Sequence, residues 1–205
     1  MIIGPKYKIA RRLGAPVFEK TQNQKFVLSI ARRGKATKGK KGPRQRTDYG
    51  AQMTEKQKAR YTYLIGEKQF SNYVKNAIAD KSAKTVDLLF RNLEMRLDSV
   101  VFRLGFANTR SFSRQMVSHG HIVVNGKRVD IPSAQIYLGD KISIKEGSLK
   151  KNMFIGIDDR LKNHTIPSWI KFDFAKKEAE IQGMPKLEQA DLLFDLNAVL
   201  EFYSR

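Results

Sequence analysis

The sequence predicts an α+β chain: mostly helical, with an αα-then-β unit that carries a small, mostly antiparallel sheet, behind a basic N-terminal extension. Three observations predict it. Apolar residues recur at helical spacing through residues 54–78 and 93–117. An Asn-Gly pair, Asn125-Gly126, separates two short apolar runs, the strongest short-range hairpin signal. Eight of the fifteen residues from Arg32 to Arg46 are Lys or Arg, interleaved with Gly34, Gly39, Gly42 and Pro43. Such a segment cannot bury enough apolar surface to fold alone.

Residues 1–47 read as a basic extended segment with little periodicity beyond the strand-like run Phe26-Val27-Leu28-Ser29-Ile30. Charge density and glycine content suit a segment that becomes ordered against phosphates. Gly34-Lys35-Ala36-Thr37-Lys38-Gly39-Lys40-Lys41 fits the phosphate-loop pattern up to its last position. Lys41 replaces the Ser or Thr that would bind magnesium, and Gly42-Pro43 prevents the required helix, so nucleotide hydrolysis is set aside.

Thr54-Glu55-Lys56-Gln57 is a capping box that starts a helix decorated by Lys56, Lys58 and Arg60. After Gly66, the stripe Phe70, Tyr73, Val74, Ala77 and Ile78 marks a second helix, and Thr85 caps a third. Tyr61, Tyr63, Phe70 and Tyr73 stand at helical spacing, which places them in a core rather than under nucleobases.

Leu93, Leu97, Val100, Val101 and Leu104 form one buried helical stripe, with Arg96 and Arg103 seven apart on another face. Gly105 suits the helix end, and Thr109 caps a second helix whose inner side is Phe112, Met116 and Val117. Arg110, Arg114, Ser111, Gln115 and Ser118 occupy its remaining surface, and no acidic residue lies between Asp98 and Asp130. A surface of donors without carboxylates suits a polyanion. Lys127 and Arg128 follow the hairpin turn, Gly139-Asp140 leads into the strand Lys141-Ile142-Ser143-Ile144, and residues 166–174 alternate like a half-buried strand anchored by Trp169.

Net charge is +19 over 205 residues, from 39 basic and 20 acidic side chains. Residues 1–50 hold 14 basic against 2 acidic side chains, whereas residues 147–205 hold 9 of each. This balance points to nucleic acid, with anionic membrane as the competing partner. None of the helices offers the basic amphipathic face with large exposed apolar residues that membrane attachment needs. The start Met1-Ile2-Ile3-Gly4-Pro5 lacks the apolar region of a signal peptide, and no apolar run reaches a membrane span, so a soluble, intracellular chain is expected. Zero cysteines exclude disulfides and thiolate metal sites. His119, His121 and His164 have no third ligand in sequence proximity, so no metal and no cofactor are expected. No nucleophile, base or acid pair stands in a catalytic constellation, and the chain is not expected to be an enzyme or to take a small-molecule substrate.

The run LEMRLDSVVFRLGFANTRSFSRQMVSHGHIVVNGKRVDIPS closely resembles the RNA-binding module of the family of the fourth small-subunit ribosomal protein. That module also occurs in some pseudouridine synthases, tyrosyl-tRNA synthetases and a heat-shock protein. Asp48 to Lys58, Glu67-Lys68-Gln69-Phe70, the start Lys6-Tyr7-Lys8-Ile9 to Gly14, and the end from Asp191 to Arg205 resemble the rest of the ribosomal family. Two departures stand out. Leu64 occupies the place where the family has glycine after tyrosine, which implies a different local turn, and the absence of N-terminal cysteines places the chain beside the zinc-free branch.

The resemblance implies a helical domain with the RNA-binding module inserted into it: 1–47 basic extension, 48–92 helical domain completed by about 180–205, and 93–179 module with its sheet, the core motif being 93–144. It also implies a structural constituent of the cytoplasmic small ribosomal subunit. Such a protein binds a multi-helix junction in the 5′ domain of the small-subunit RNA, nucleates assembly and contacts the fifth small-subunit protein. With that neighbour it supports translational accuracy where mRNA enters. Carried over residue by residue, the module's RNA face would be Arg96, Arg103, Arg110, Ser113, Arg114, Gln115, His119, His121, Asn125 and Lys127. The helical domain would contribute phosphate contacts from Lys6, Lys8, Arg11, Arg12, Arg44, Arg46, Lys56, Lys58 and Arg60. The other reading, from a different class, is an RNA-modifying or chaperone-like factor that uses the module transiently.

Overall fold

In the computed structural model, residues 3–36, 47–162 and 164–204 are described. Helices α1 (Lys6–Leu13), α2 (Gln24–Ala36), α3 (Asp48–Thr62) and α4 (Glu67–Ala79) come first. Helices α5 (Thr85–Glu94), α6 (Leu97–Arg103) and α7 (Arg110–Ser118) lead into strands β1 (Ile122–Val124), β2 (Lys127–Arg128) and β3 (Lys141–Ile144). Short helices α8 (Glu146–Leu149) and α9 (Ile157–Lys162) precede strands β4 (Ile170–Asp173) and β5 (Glu178–Ile181), and helix α10 (Leu196–Tyr203) closes the order. Among the described residues no helix is long and apolar enough to cross a membrane. The chain divides into two units, residues 1–86 with 190–205, and residues 87–189.

The first unit is helical. α1 buries Ile9, Ala10 and Leu13, and these meet Ala15, Val17, Phe18 and Leu64 in one apolar cluster. α10 returns from the far end of the sequence onto α3 and α4, setting Phe202 against Tyr49 at 5.3 Å and Tyr203 against Phe70 at 6.2 Å between ring centres. Several expectations are corrected here. The basic segment is not extended over residues 6–13 and 24–36, and Phe26 to Ile30 lies inside α2, because a short apolar run fits either period and Phe26 finds a helical packing site on Tyr7 at 5.0 Å. The helix placed at Thr54 starts at Asp48. Thr47 is its cap, with its hydroxyl accepting from the Gly50 N–H, while the Thr54 hydroxyl donates back to the Gly50 carbonyl. Thr85 is the first residue of α5 rather than a residue preceding it.

At Leu64 the chain takes a glycine-like backbone with a side chain in place. Leu64 adopts φ 56°, the left-handed conformation that glycine favours, and the Ile65 N–H donates to the Arg60 carbonyl at 3.1 Å to close α3. The side chain remains buried in the α1 cluster.

In the second unit, α6 packs on α7 and both bury apolar faces against a five-stranded antiparallel sheet of order β2-β1-β3-β5-β4. Leu97, Val100, Val101, Leu104, Met116, Val117, Ile122, Ile142 and Ile181 belong to one core. The hairpin turn is made by Asn125 and Gly126 at φ 50° and 77°, matching the turn type that Asn-Gly specifies. The single stripe read from Leu93 to Leu104 is two helices. Arg96 is extended between them, the Leu97 N–H donates to the Ala134 carbonyl at 2.9 Å, and Arg96 bridges to Gln135. All five apolar residues stay buried, because the break changes direction without changing which side faces the core.

Candidate nucleic-acid interface

The surface built on α6 and α7 rests on two carboxylates. Asp98, in the first turn of α6, takes a two-pronged contact from Arg96, with Nε donating at 3.0 Å and Nη2 at 2.6 Å. Glu94, at the end of α5, takes the matching fork from Arg103, Nε at 2.8 Å and Nη2 at 2.7 Å, and Arg110 Nη2 donates to the same carboxylate at 3.3 Å. Arg110 also donates to the Ser99 hydroxyl at 3.1 Å and lies 4.7 Å from the centre of the Phe102 ring. Ser113 donates its hydroxyl to the carbonyls of Asp98 and Arg110, each at 2.8 Å.

These contacts correct part of the expected RNA face. Arg96 is fully buried, Arg110 nearly so, and Ser113 entirely; Arg110 and Ser113 tie α7 to α6, and Arg96 holds the start of α6 through Asp98. Sequence spacing put them outside because arginine at helical intervals reads as solvated surface, and the carboxylates that draw them inward are two and sixteen residues away. His121 is also buried, its Nδ1 2.9 Å from the Ser148 hydroxyl. Burial, with the positive charges of Lys151, His119, Arg128 and Lys145, pushes its pKa below the usual 6.5. Asn125 is exposed, but its amide is committed: Nδ2 donates to Asp140 at 2.7 Å and Oδ1 accepts from the Lys141 N–H at 2.9 Å.

The accessible members are Arg103 and Arg114, each about a third exposed, with Gln115, His119 and Lys127 exposed. The strand pairing adds cations that sequence reasoning missed. β1 pairs with β3 so that the Lys145 N–H donates to the His121 carbonyl at 2.9 Å, and Lys151, after α8, is near enough for its charge to act on His121. Arg128 lies directly over Gly120, too close to admit a Cβ there. The signal for Lys145 was its place at the end of a legible strand; for Lys151 the sequence carried none.

In the helical unit, Lys8, Arg11 and Arg12 are exposed on α1, Lys6 stands 5.8 Å from the Phe18 ring centre and Arg11 5.5 Å from that of Phe26. Lys56 is not a surface contact: its ammonium is buried 2.7 Å from Glu67 and 4.4 Å from the centre of the Phe202 ring. Arg60 Nη1 shares Glu67 at 3.2 Å, and Lys58 is 2.7 Å from Glu55. All three are ion-paired within the fold, Lys56 buried and Lys58 and Arg60 partly exposed; α10, which covers Lys56, arrives from sequence too distant for local pattern to register. Arg44 and Arg46, and Thr37 to Lys41 of the rejected phosphate loop, fall outside the described residues. Among the described residues no three His, Cys, Asp or Glu side chains gather to hold a metal.

Comparison with known proteins gives matches along the chain. The family described as Ribosomal protein S4/S9 N-terminal domain matches residues 1–94, and the S4 domain family matches residues 95–142. The small ribosomal subunit protein uS4 of Herpetosiphon aurantiacus is 40% identical over 209 residues, covering 98% of this chain and 98% of that protein. Its counterpart in a Roseiflexus species is 39% identical over 208 residues, again covering 98% of each. The uS4 protein of Chromobacterium violaceum is 40% identical over 207 residues, 99% of this chain and 98% of its own.

Proposed function

From the premise that the chain belongs to the uS4 family of small ribosomal subunit proteins, we propose that it is a primary binder of the 5′ domain of 16S-type RNA, nucleating assembly of the small subunit. At the coarser level the family is one of structural ribosomal proteins that bind RNA, and it is not a family of enzymes. The cytoplasmic ribosome is then the chain's place. By the same reading it meets the fifth small-subunit protein beside the channel that admits mRNA and supports accurate decoding.

The observation that carries the RNA reading is the set of accessible cations of the second unit, Arg103, Arg114, Lys127, Arg128, Lys145 and Lys151, with exposed His119 and no acidic residue between Asp98 and Asp130. Arginine and lysine contacts to phosphate supply affinity, while structured RNA is discriminated by shape, sugar hydroxyls and splayed bases. The test is binding to a 5′-domain fragment and to a length-matched duplex across a salt series. Each phosphate contact contributes roughly 0.7–0.9 to the slope of log affinity against log salt. Preference for the fragment at every salt, eroded by Arg114→Ala with Lys127→Ala, supports the reading; equal binding to both RNAs overturns it. The second reading, a transient factor, predicts release from small subunits in a high-salt wash, where a constituent stays bound near stoichiometrically.

A further inference from the structure

The two carboxylates beneath the cation surface are out of place on electrostatic grounds alone. Glu94 and Asp98 are 1% and 7% exposed, and a polyanion-binding chain gains nothing from burying negative charge under its contact surface. Their geometry gives them a different task. Each is shared by two arginines, one deep and one reaching the surface: Arg110 and Arg103 on Glu94, Arg96 and Arg114 on Asp98. The two arginines that reach the surface are each 32% exposed.

The hold on Arg103 is the tighter of the two. Its guanidinium plane is set by the fork on Glu94, and its backbone carbonyl accepts from His164 Nε2 at 2.9 Å. Arg114 approaches Asp98 only to 3.9 Å. A free arginine gives up side-chain entropy when it docks on phosphate, and one already held in plane gives up less.

We propose that Glu94 is a positioning residue for RNA: its buried carboxylate fixes the Arg103 guanidinium in one orientation, so that this arginine distinguishes a folded RNA from any other polyanion. The inference rests on the RNA-binding reading above. It opposes simple electrostatics in sign. Replacing Glu94 by glutamine makes the chain one unit more positive than +19 and on charge alone strengthens binding. Loss of positioning weakens it.

The experiment uses the full chain with the 5′-domain fragment and the length-matched duplex. Glu94→Gln is expected to bind the fragment about tenfold more weakly while holding the duplex as well as before or better. In an Arg103→Ala background, the same substitution is expected to leave fragment affinity unchanged or slightly raised by the added charge, because the arginine through which Glu94 acts is gone. Fragment binding by Glu94→Gln equal to or tighter than that of the parent overturns the proposal. So does a loss that persists undiminished in the Arg103→Ala background, which marks a structural role only. Should Glu94→Gln fail to fold, Arg103→Lys carries the test: it keeps the charge, cannot form the fork, and is expected to lose the same factor, whereas undiminished affinity overturns the idea. If the parent chain itself does not prefer the fragment, the RNA reading falls first; if it does and the variants match it, positioning alone falls.

Discussion

Position 64 offers a test in which two substitutions exchange their usual order. Leu64 sits at φ 56°, a conformation that costs a residue with a Cβ about 1–2 kcal/mol. Its side chain is 7% exposed and packs with Ile9, Leu13, Ala15, Val17 and Phe18. Leu64→Ala loses those contacts and keeps the strained backbone, an expected cost of about 3 kcal/mol. Leu64→Gly loses a further methyl, about 0.8 kcal/mol. It also loosens the unfolded chain by up to about 1 kcal/mol, and it releases the strain. These terms nearly cancel, so glycine and alanine are expected within about 0.5 kcal/mol of each other, where an unstrained helical site ranks glycine about 1 kcal/mol below alanine. Ala77→Gly, buried inside α4, supplies the unstrained reference. Urea unfolding followed by far-ultraviolet circular dichroism reads the helices of both units, and Trp169 fluorescence reports the second unit alone, so a transition seen only in the dichroism belongs to the first. If Leu64→Gly falls below Leu64→Ala by as much as Ala77→Gly falls below the parent, position 64 is not strained and the account of the turn is wrong.

The remaining predictions concern buried charge and the salt response. Arg96→Ala leaves the Asp98 carboxylate without its two-pronged partner and is expected to cost the module about 3–5 kcal/mol, read by Trp169 fluorescence in urea; the double variant with Asp98→Ala recovers part of that loss. Burial works to raise the Glu67 carboxyl, yet hydrogen bonds from Lys56 and Tyr203 and the charges of Lys56 and Arg60 hold it below its ordinary 4.5. A carboxyl lowered in the folded state contributes stability above its unfolded pKa and loses it as pH falls through the folded value. Helical-unit stability is therefore expected to decline on acidification below about 4.5, and thermal melts of Glu67→Gln are expected to be flatter over that range. Lys145→Ala with Lys151→Ala is expected to reduce the salt slope of RNA binding by roughly 1.4–1.8, whereas Lys171→Ala with Lys176→Ala, on the strands β4 and β5 side of the sheet, is expected to leave it unchanged; equal effects refute the assignment of the first pair to the interface.

Much of the module was legible because its signals are local. The Asn-Gly turn, the Thr109 cap and the apolar stripes depend on neighbours within a few residues, and Thr109 does accept from the Phe112 N–H at 3.1 Å. The candidate site was less legible for a physical reason. Whether an arginine is surface or core depends on where a carboxylate ends up, and Glu94 reaches Arg103 and Arg110 only once α6 and α7 have folded back beside α5. Lys56 is the extreme case: its burial is made by Phe202 and Tyr203, which nothing in residues 50–60 foretells. Helix starts were misplaced where Thr54 satisfied the capping pattern inside a helix that Thr47 had already begun.

The return of α10 has a consequence for the timing of synthesis. Gln52 donates to Glu201 at 2.8 Å, the Asp195 N–H donates to Glu55 at 3.0 Å, and the Tyr203 hydroxyl donates to Glu67 at 2.8 Å, so the helical unit finds these partners only when its final segment has been made. Residues 87–189 intervene, and at roughly 5–20 residues per second their translation occupies on the order of ten seconds. The part of the chain that is born first is thus finished last. During that interval Lys56 lacks the cover of Phe202 and Tyr203, and a chain broken off before residue 190 keeps that face open for whatever in the cell inspects unfinished proteins.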